Sequence, residues 1–394
     1  MKCNLIIILL FSIMTSCTQP QNPKIQQQVD QLIDQQIKDK RLAYCNVEVV
    51  AKDDGLEISG ATVSKSTFDA LKTFADENGI DFSVNLFPDE TYKENPWAIV
   101  TLSVCNIRST SRHSAEMLTQ SIMGTPVKVY HEEDGWYLVQ TPDRYFGWVD
   151  GAGIAPKTNA ELAEWKALKK VLYKQQYGFA YSGPEANSNV ETDLVLDNLL
   201  SIVDETGEFY KMILADGREA FVKKGECVDL DIWYNKSVAA EDVLKTAKKF
   251  MGVPYLWGGT SAKMVDCSGF VKSVYYNHGM ILQRDASQQT WYGEMVDTKN
   301  GYEILEPGDL VFFGRKATVD QKERVTHVGL CLGNQEFVHA SGKVRINSLD
   351  GNSEKYTEHY EKGFVRARRV INNIDGNGIE WVVDNAFFKQ VLPE

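Results

Sequence analysis

One cysteine and two histidines are the residues of this sequence best placed to do chemistry together. In Val265-Asp266-Cys267-Ser268-Gly269-Phe270-Val271 a small polar cap precedes an apolar run. Phe270, Val271, Val274 and Tyr275 then recur at helical spacing until Gly279 ends the pattern. Asp266 is the candidate N-cap, which puts Cys267 in the first turn. Unpaired backbone N–H groups and the positive end of the helix dipole favour a thiolate at that position. A thiolate becomes a nucleophile only where a base reaches it.

The chain has six histidines: His113, His131, His278, His327, His339 and His359. Two of them sit on alternating, β-rich runs downstream of Cys267. Val325 to Leu332 reads as one strand, Gly333-Asn334-Gln335 as turn residues, and Glu336 to Ser341 as the return strand. A three-residue connection at 333–335 sets His339 opposite Gly329, diagonal to His327 on one face, with the small Gly329 leaving room for both rings. A two-residue connection at 333–334 throws them onto opposite faces. In the first register the set can work as thiolate, general base and a residue that orients the base. Singly, such a cysteine is a small core residue and such histidines are structural or exposed; the combination carries the catalytic reading.

Several elements must hold that set. A helix from Glu241 to Phe250 delivers Gly252-Val253-Pro254-Tyr255-Leu256-Trp257-Gly258-Gly259, a loop of special backbone shape and one wall of a cleft. Glu306-Pro307-Gly308-Asp309 turns into the strand Leu310–Phe313, and Phe364–Arg368 reads as the last strand. Helix first and antiparallel strands after it is α+β order. Upstream, strand-and-turn spacing of eight to twelve residues from Trp97 to Ile154 marks a small β-barrel. Asn159 to Gln175 reads as a linker helix. A weaker second copy of the barrel covers Tyr177 to Leu230, without the Asn-x-Arg element or the paired Gly-Trp elements of the first.

The expected organisation of this multidomain α+β chain is a leader at 1–17, a tether and small α+β domain at 18–95, and barrels at 96–156 and 177–232. A catalytic domain at 237–371 and a tail at 372–394 complete it. No chemistry is assigned to the small domain, and none to the tail with its Trp381 and Phe387-Phe388.

At 394 residues several domains are expected. A formal net charge of −12 argues against a nucleic-acid partner. Met1-Lys2, the apolar Leu5–Ile13 and Met14-Thr15-Ser16-Cys17 form a secretory signal too short to span a membrane. Cys17 after Thr-Ser resembles a bacterial lipoprotein processing site, which would lipidate Cys17 and anchor the exported protein to a membrane facing the periplasm. Beyond the leader, which holds Cys3 and Cys17, five cysteines (45, 105, 227, 267 and 331) are an odd, scattered set without CxxC. At least one thiol must then stay free. No zinc spacing is present, and no cofactor is implied.

Taken together, Pro254-Tyr255-x-Trp257-Gly258-Gly259, Asp266-Cys267-Ser268-Gly269-Phe270, Pro307-Gly308-Asp309-Leu310, Thr326-His327-Val328-Gly329 and Val338-His339-Ala340-Ser341 resemble the NlpC/p60 cysteine peptidases. These form a papain-superfamily branch that cleaves peptidoglycan stem peptides, commonly between γ-D-glutamate and a diamino acid. The barrels resemble bacterial Src-homology-3-like modules. The layout is similar to the subgroup that trims free wall peptides beginning with L-Ala, the dipeptidyl-peptidase VI type.

The resemblance implies catalytic Cys267, His327 and His339, with Tyr255, Trp257, Asp266 and Ser268 lining the substrate site; Asp266 is equally accounted for as the helix cap. Ser114–Gln120, Arg144–Trp148 and Gln283–Ser287 resemble the segments that bind a free amine, which implies Glu116, Tyr145 and Asp285 for that task. Ala286 stands where the subgroup commonly has serine. The other readings are an endopeptidase or amidase on wall-attached stems, and a wall-binding protein with a vestigial catalytic domain.

Overall fold

The computed structural model describes residues 22–393 apart from Ala186. The leader at 1–17, with Cys17, lies outside the described residues. The chain divides into two compact units, one ending at Phe87 and one beginning at Pro88. In the first, helices Pro23–Gln36 and Lys65–Asn78 cover a three-stranded sheet of Cys45–Lys52, Gly55–Thr62 and Asp81–Leu86. The last strand runs parallel to its neighbour, and Val29, Ile33, Ile58, Leu71 and Ala75 close the core. Asp81–Leu86 alternates polar and apolar side chains, and its Val84 faces that core.

The second unit begins with a seven-stranded barrel sheet that runs from Trp97–Val100 to Ile154–Lys157. Its interior is a run of small apolar residues, among them Val100, Ile107, Val127, Val139 and Val149. A second seven-stranded sheet follows, with strands from Lys169–Tyr173 to Cys227–Asp229. The linker helix is shorter than its pattern suggested. It runs Asn159–Ala167, closed at its start by a Thr158/Glu161 capping box. Lys169–Tyr173, expected as helix, is instead a strand between Leu199–Thr206 and Cys227–Asp229. Burial of Val171, Leu172 and Tyr173 in the barrel overrides their place in a helical pattern.

In the last third, a six-stranded antiparallel sheet has the order Glu294–Val296, Phe364–Arg369, Leu310–Arg315, Arg324–Gly333, Glu336–Ser341, Lys343–Ser348. The helix Cys267–Asn277 lies on it, with Phe270, Val271, Val274 and Tyr275 fully buried against Leu310, Phe312, Val328 and Leu330. Each such side chain contributes about 1.5–3 kcal/mol by burial, which fixes the helix and its first turn on the sheet.

The tail is an element of the fold. Ile379–Trp381 pairs with Met280–Leu282, and Val382, Phe388 and Val391 are fully buried with Trp233.

Candidate active site

Asp266 caps the helix as its position implies: Oδ1 accepts from the Gly269 N–H at 2.7 Å. The carboxylate also accepts from the Gly258 N–H at 3.0 Å, Ser268 Oγ at 3.2 Å and Arg284 Nη2 at 2.6 Å. Its oxygens are therefore engaged by the protein, and its work is to join the 254–259 loop to the nucleophile's turn. Ser268 is buried on the same network, with Arg284 Nη1 donating to its Oγ at 3.0 Å. Arg284 is 1% exposed and also reaches Thr119 Oγ1 of the first barrel at 2.9 Å. A buried charge so placed needs every one of these partners.

On the sheet, His339 lies in the register that faces it toward His327. Leu330 pairs with Val338 and Cys331 with Phe337, so Gly329 stands opposite His339. The turn itself is tighter than three residues. Gly333 pairs with Glu336 across Asn334 and Gln335, both with positive φ, and a bulge at Leu332 restores the longer register. A Cβ at Gly329 would come within 2.8 Å of the Phe337 ring and 3.3 Å of the His339 Cβ, so only glycine fits between the rings.

His327 Nε2 and His339 Nδ1 are 2.8 Å apart, and His339 Nε2 is 2.9 Å from Asn347 Oδ1. The proton positions follow from the far end. Asn347 Nδ2 donates to the Lys355 carbonyl and to Thr357 Oγ1, which leaves Oδ1 as acceptor. His339 therefore carries its proton on Nε2 and accepts at Nδ1 from His327 Nε2–H, leaving His327 Nδ1 as the free base.

Burial, reinforced by the Asp266 carboxylate, pushes the Cys267 thiol up to about 12, against backbone N–H donors at Val328 and Ser268 and the Arg284 guanidinium. Desolvation, with the neighbouring ring of His339, lowers His327 to about 3, and desolvation lowers His339 to about 4. The helix start favours a thiolate, yet desolvation outweighs it here. The resting groups are a neutral thiol and neutral imidazoles, and the sulfur lies against the residue that follows His327. The Cys267 backbone N–H has no acceptor among the described residues. Tyr255 is close enough to Cys267 and Asp266 that burial and those two groups raise its phenol to about 12, so it keeps its proton.

The first barrel forms the opposite wall. Its strand Met117–Ile122 meets the catalytic domain at Gln120, which exchanges hydrogen bonds with Thr260 at 2.9–3.1 Å and accepts from Ser261 Oγ at 3.1 Å. Gly258 has φ +81°, and a Cβ there would lie 2.4 Å from the Met117 carbonyl. Trp257 Nε1 donates to Glu116 Oε1 at 2.8 Å, while most of the indole stays in solvent. Tyr145 is buried, and its hydroxyl donates to Asp285 Oδ2 at 3.1 Å. Behind it, Lys272 of the nucleophile's helix pairs with the buried Asp143 at 2.7 Å. Burial raises that carboxyl, but Lys272 and Thr141 hold it below its usual range. Tyr145 and Asp285 are thus brought together, and Glu116 meets Trp257 of the 254–259 loop.

Arg284 and Asn347 were not read as site residues from sequence. Arg284 lay inside the Gln283–Ser287 segment, but nothing local marks an arginine as buried. Asn347 is legible only through a third strand: His339 pairs with Arg345, which puts Asn347 diagonal to the ring.

A helix-borne cysteine facing histidines on an antiparallel sheet, walled by a β-barrel, is the arrangement of a cysteine peptidase. Residues 252–369 match the NlpC/P60 family, and residues 107–154 match the bacterial dipeptidyl-peptidase Sh3 domain. A gamma-D-glutamyl-L-lysine dipeptidyl-peptidase of Bacillus cereus is 28% identical over 257 residues, 61% of this chain and 73% of the relative. The Bacillus subtilis protein of that name is 29% identical over 269 residues, 64% of this chain and 81% of the relative. The crystal structure of an NlpC/P60 family protein from Bacillus cereus shares the fold, with TM-score 0.57 at 24% identity over 70% of this chain and 99% of that one. The chain thus carries a cysteine peptidase domain of the NlpC/P60 family, joined to a bacterial SH3-like domain.

Proposed function

We propose that the protein hydrolyses the bond between γ-D-glutamate and a diamino acid in peptidoglycan-derived peptides that begin with a free L-Ala. Two observations support this reading. The hydrogen-bonded His327–His339 pair beside a buried cysteine provides a base and its brace. The barrel's Tyr145 meets Asp285 and its Glu116 meets Trp257, and these oxygens suit a protonated amine, which needs such partners in a half-closed pocket.

In this mechanism His327 Nδ1 takes the thiol proton as the Cys267 sulfur bonds to the γ-glutamyl carbonyl carbon. The oxyanion is met by the Cys267 backbone N–H and the Tyr255 hydroxyl; losing one such donor typically costs about a hundredfold or more. As the C–N bond breaks, the imidazolium returns the proton to the departing amine and leaves a thioester. Water activated by the same imidazole then adds to that carbonyl, releases L-Ala-D-Glu and restores the thiol. His339 keeps its Nδ1 lone pair on His327 Nε2–H, which steadies the imidazolium between the two steps.

Cys267→Ala abolishes diamino-acid release from L-Ala-γ-D-Glu-diaminopimelate, followed by mass spectrometry. Full turnover by that variant ends the reading. N-acetylating the peptide removes the charged amine and cuts kcat/KM sharply; equal turnover of the two forms points instead to an endopeptidase on wall-attached stems. We further propose that Cys17 is lipidated and anchors the exported protein to a membrane. Metabolic palmitate labelling that survives Cys17→Ala rules this out.

A further inference from the structure

A cavity of about 370 Å³ has His327 in its wall, and neither Cys267 nor the Glu116, Tyr145 and Asp285 group lines it. Two of its lining residues, Arg315 and Arg324, stand directly opposite each other at the end of the paired strands Leu310–Arg315 and Arg324–Gly333. Like charges so placed repel, and a strand pair gains nothing from them unless an anion lies between. Neither guanidinium has an ion-pair partner among the described residues; Arg315 reaches only the Lys322 carbonyl, at 3.3 Å. The neighbouring Glu323 is taken by Arg366, and Glu358 by Lys362 at 2.7 Å. His359 completes the lining, which holds no carboxylate, in a chain whose formal net charge is −12.

Thr326 is a bulged residue, since Phe313 pairs with His327 and Gly314 with Val325. The bulge lets Arg324, Thr326 and His327 all reach one cavity.

We propose that this cavity receives the departing diamino acid, and that Arg315 and Arg324 select one with a carboxylate on its side chain. The assignment rests on the reaction proposed above, in which the leaving amine takes its proton from His327 and must therefore lie on that side. Diaminopimelate ends in a carboxylate and an ammonium; lysine ends in an ammonium alone. A cationic pocket without acids accepts the first and repels the second.

The test compares kcat/KM for L-Ala-γ-D-Glu-meso-diaminopimelate and L-Ala-γ-D-Glu-L-Lys in the full-length enzyme, in Arg324→Gln and in Arg315→Gln. Circular dichroism confirms that each variant is folded. The expected preference for the diaminopimelate peptide is about tenfold or more, the scale of one charge-assisted contact. It falls at least about threefold in each variant, through KM rather than kcat, and shrinks as ionic strength rises because these guanidinia are exposed. Equal turnover of the two peptides by the parent enzyme, or an unchanged preference in both variants, overturns the assignment while leaving the proposed reaction intact. If the parent cleaves neither peptide, both fall.

Discussion

The two barrels are built alike and used differently. Each is a seven-stranded antiparallel sheet around a small apolar core, and each is hydrogen-bonded to the catalytic domain. The first sends Glu116, Thr119, Gln120 and Tyr145 to the cleft and its loops. The second touches the far end of the same helix. Its Asp197 accepts from Asn277 Nδ2 at 2.6 Å, and its Asp193 pairs with Lys263 at 2.6 Å. It also holds the first barrel, through Asn198 to the Ser103 carbonyl at 3.0 Å. One module shapes the site and its sibling steadies the frame, which shows that a fold decides neither role; the side chains at its rim do.

The comparison breaks most readily at the first barrel. On the proposed reading Glu116→Gln and Tyr145→Phe each remove a partner of the substrate amine, and kcat/KM for the free-amine peptide falls about 10- to 100-fold, the range for a hydrogen bond to a charged group. The acetylated peptide is hardly affected. Equal losses on both peptides would make these residues structural. Gln120→Ala, at the seam, orphans the Thr260 N–H and costs about 1–3 kcal/mol of stability, read from chemical denaturation, with a several-fold loss in kcat. An unaltered denaturation midpoint would show that the seam is slack.

Acid and base separate the two regions further. Folding holds His327 and His339 neutral, so their folded pKa values, about 3 and 4, lie below that of the unfolded chain. The unfolded state takes up more protons, and stability falls as pH drops from about 6.5 toward 4. The acid limb of kcat/KM accordingly lies well below pH 6; a limb near 6.5 contradicts the neutral pair.

Asp197 behaves oppositely. Burial raises its carboxyl to about 7, so stability is lost as pH rises from about 4 to 7. Asp197→Asn is expected to raise Tm at pH 8, with less gain at pH 5, and to leave the KM for peptide unchanged. The smallest effect belongs to the second barrel's outer surface. Tyr177→Ser, at an exposed ring, changes stability by less than about 0.5 kcal/mol and activity not at all.

The helix bearing Cys267 and the histidine hairpin were legible because their signals are local: a cap, a 3.6-residue period, an alternation and a turn. The order of the last domain followed from the same periods. Lys169–Tyr173 misled because a short apolar run fits helix and strand alike until its neighbours are known. The ionisation of Cys267 was beyond the sequence for a related reason. Helix-start position is local, but desolvation depends on the core that the distant sheet strands complete around the sulfur. Arg284 belongs with it, since only the assembled cleft turns that side chain from a surface charge into an internal tie.

The tail reaches across the molecule. Glu380 pairs with Arg144, and Asn385 Nδ2 donates to the Pro142 carbonyl at 3.1 Å, so the turn ending at Tyr145 is gripped from behind. Clipping the chain after residue 371 would release that grip, uncover Trp233 and leave Met280–Leu282, which leads into Arg284 and Asp285, without its partner strand. A protease nick or a bulky fusion at the carboxyl end would then surface as lost stability and altered choosiness among peptides together.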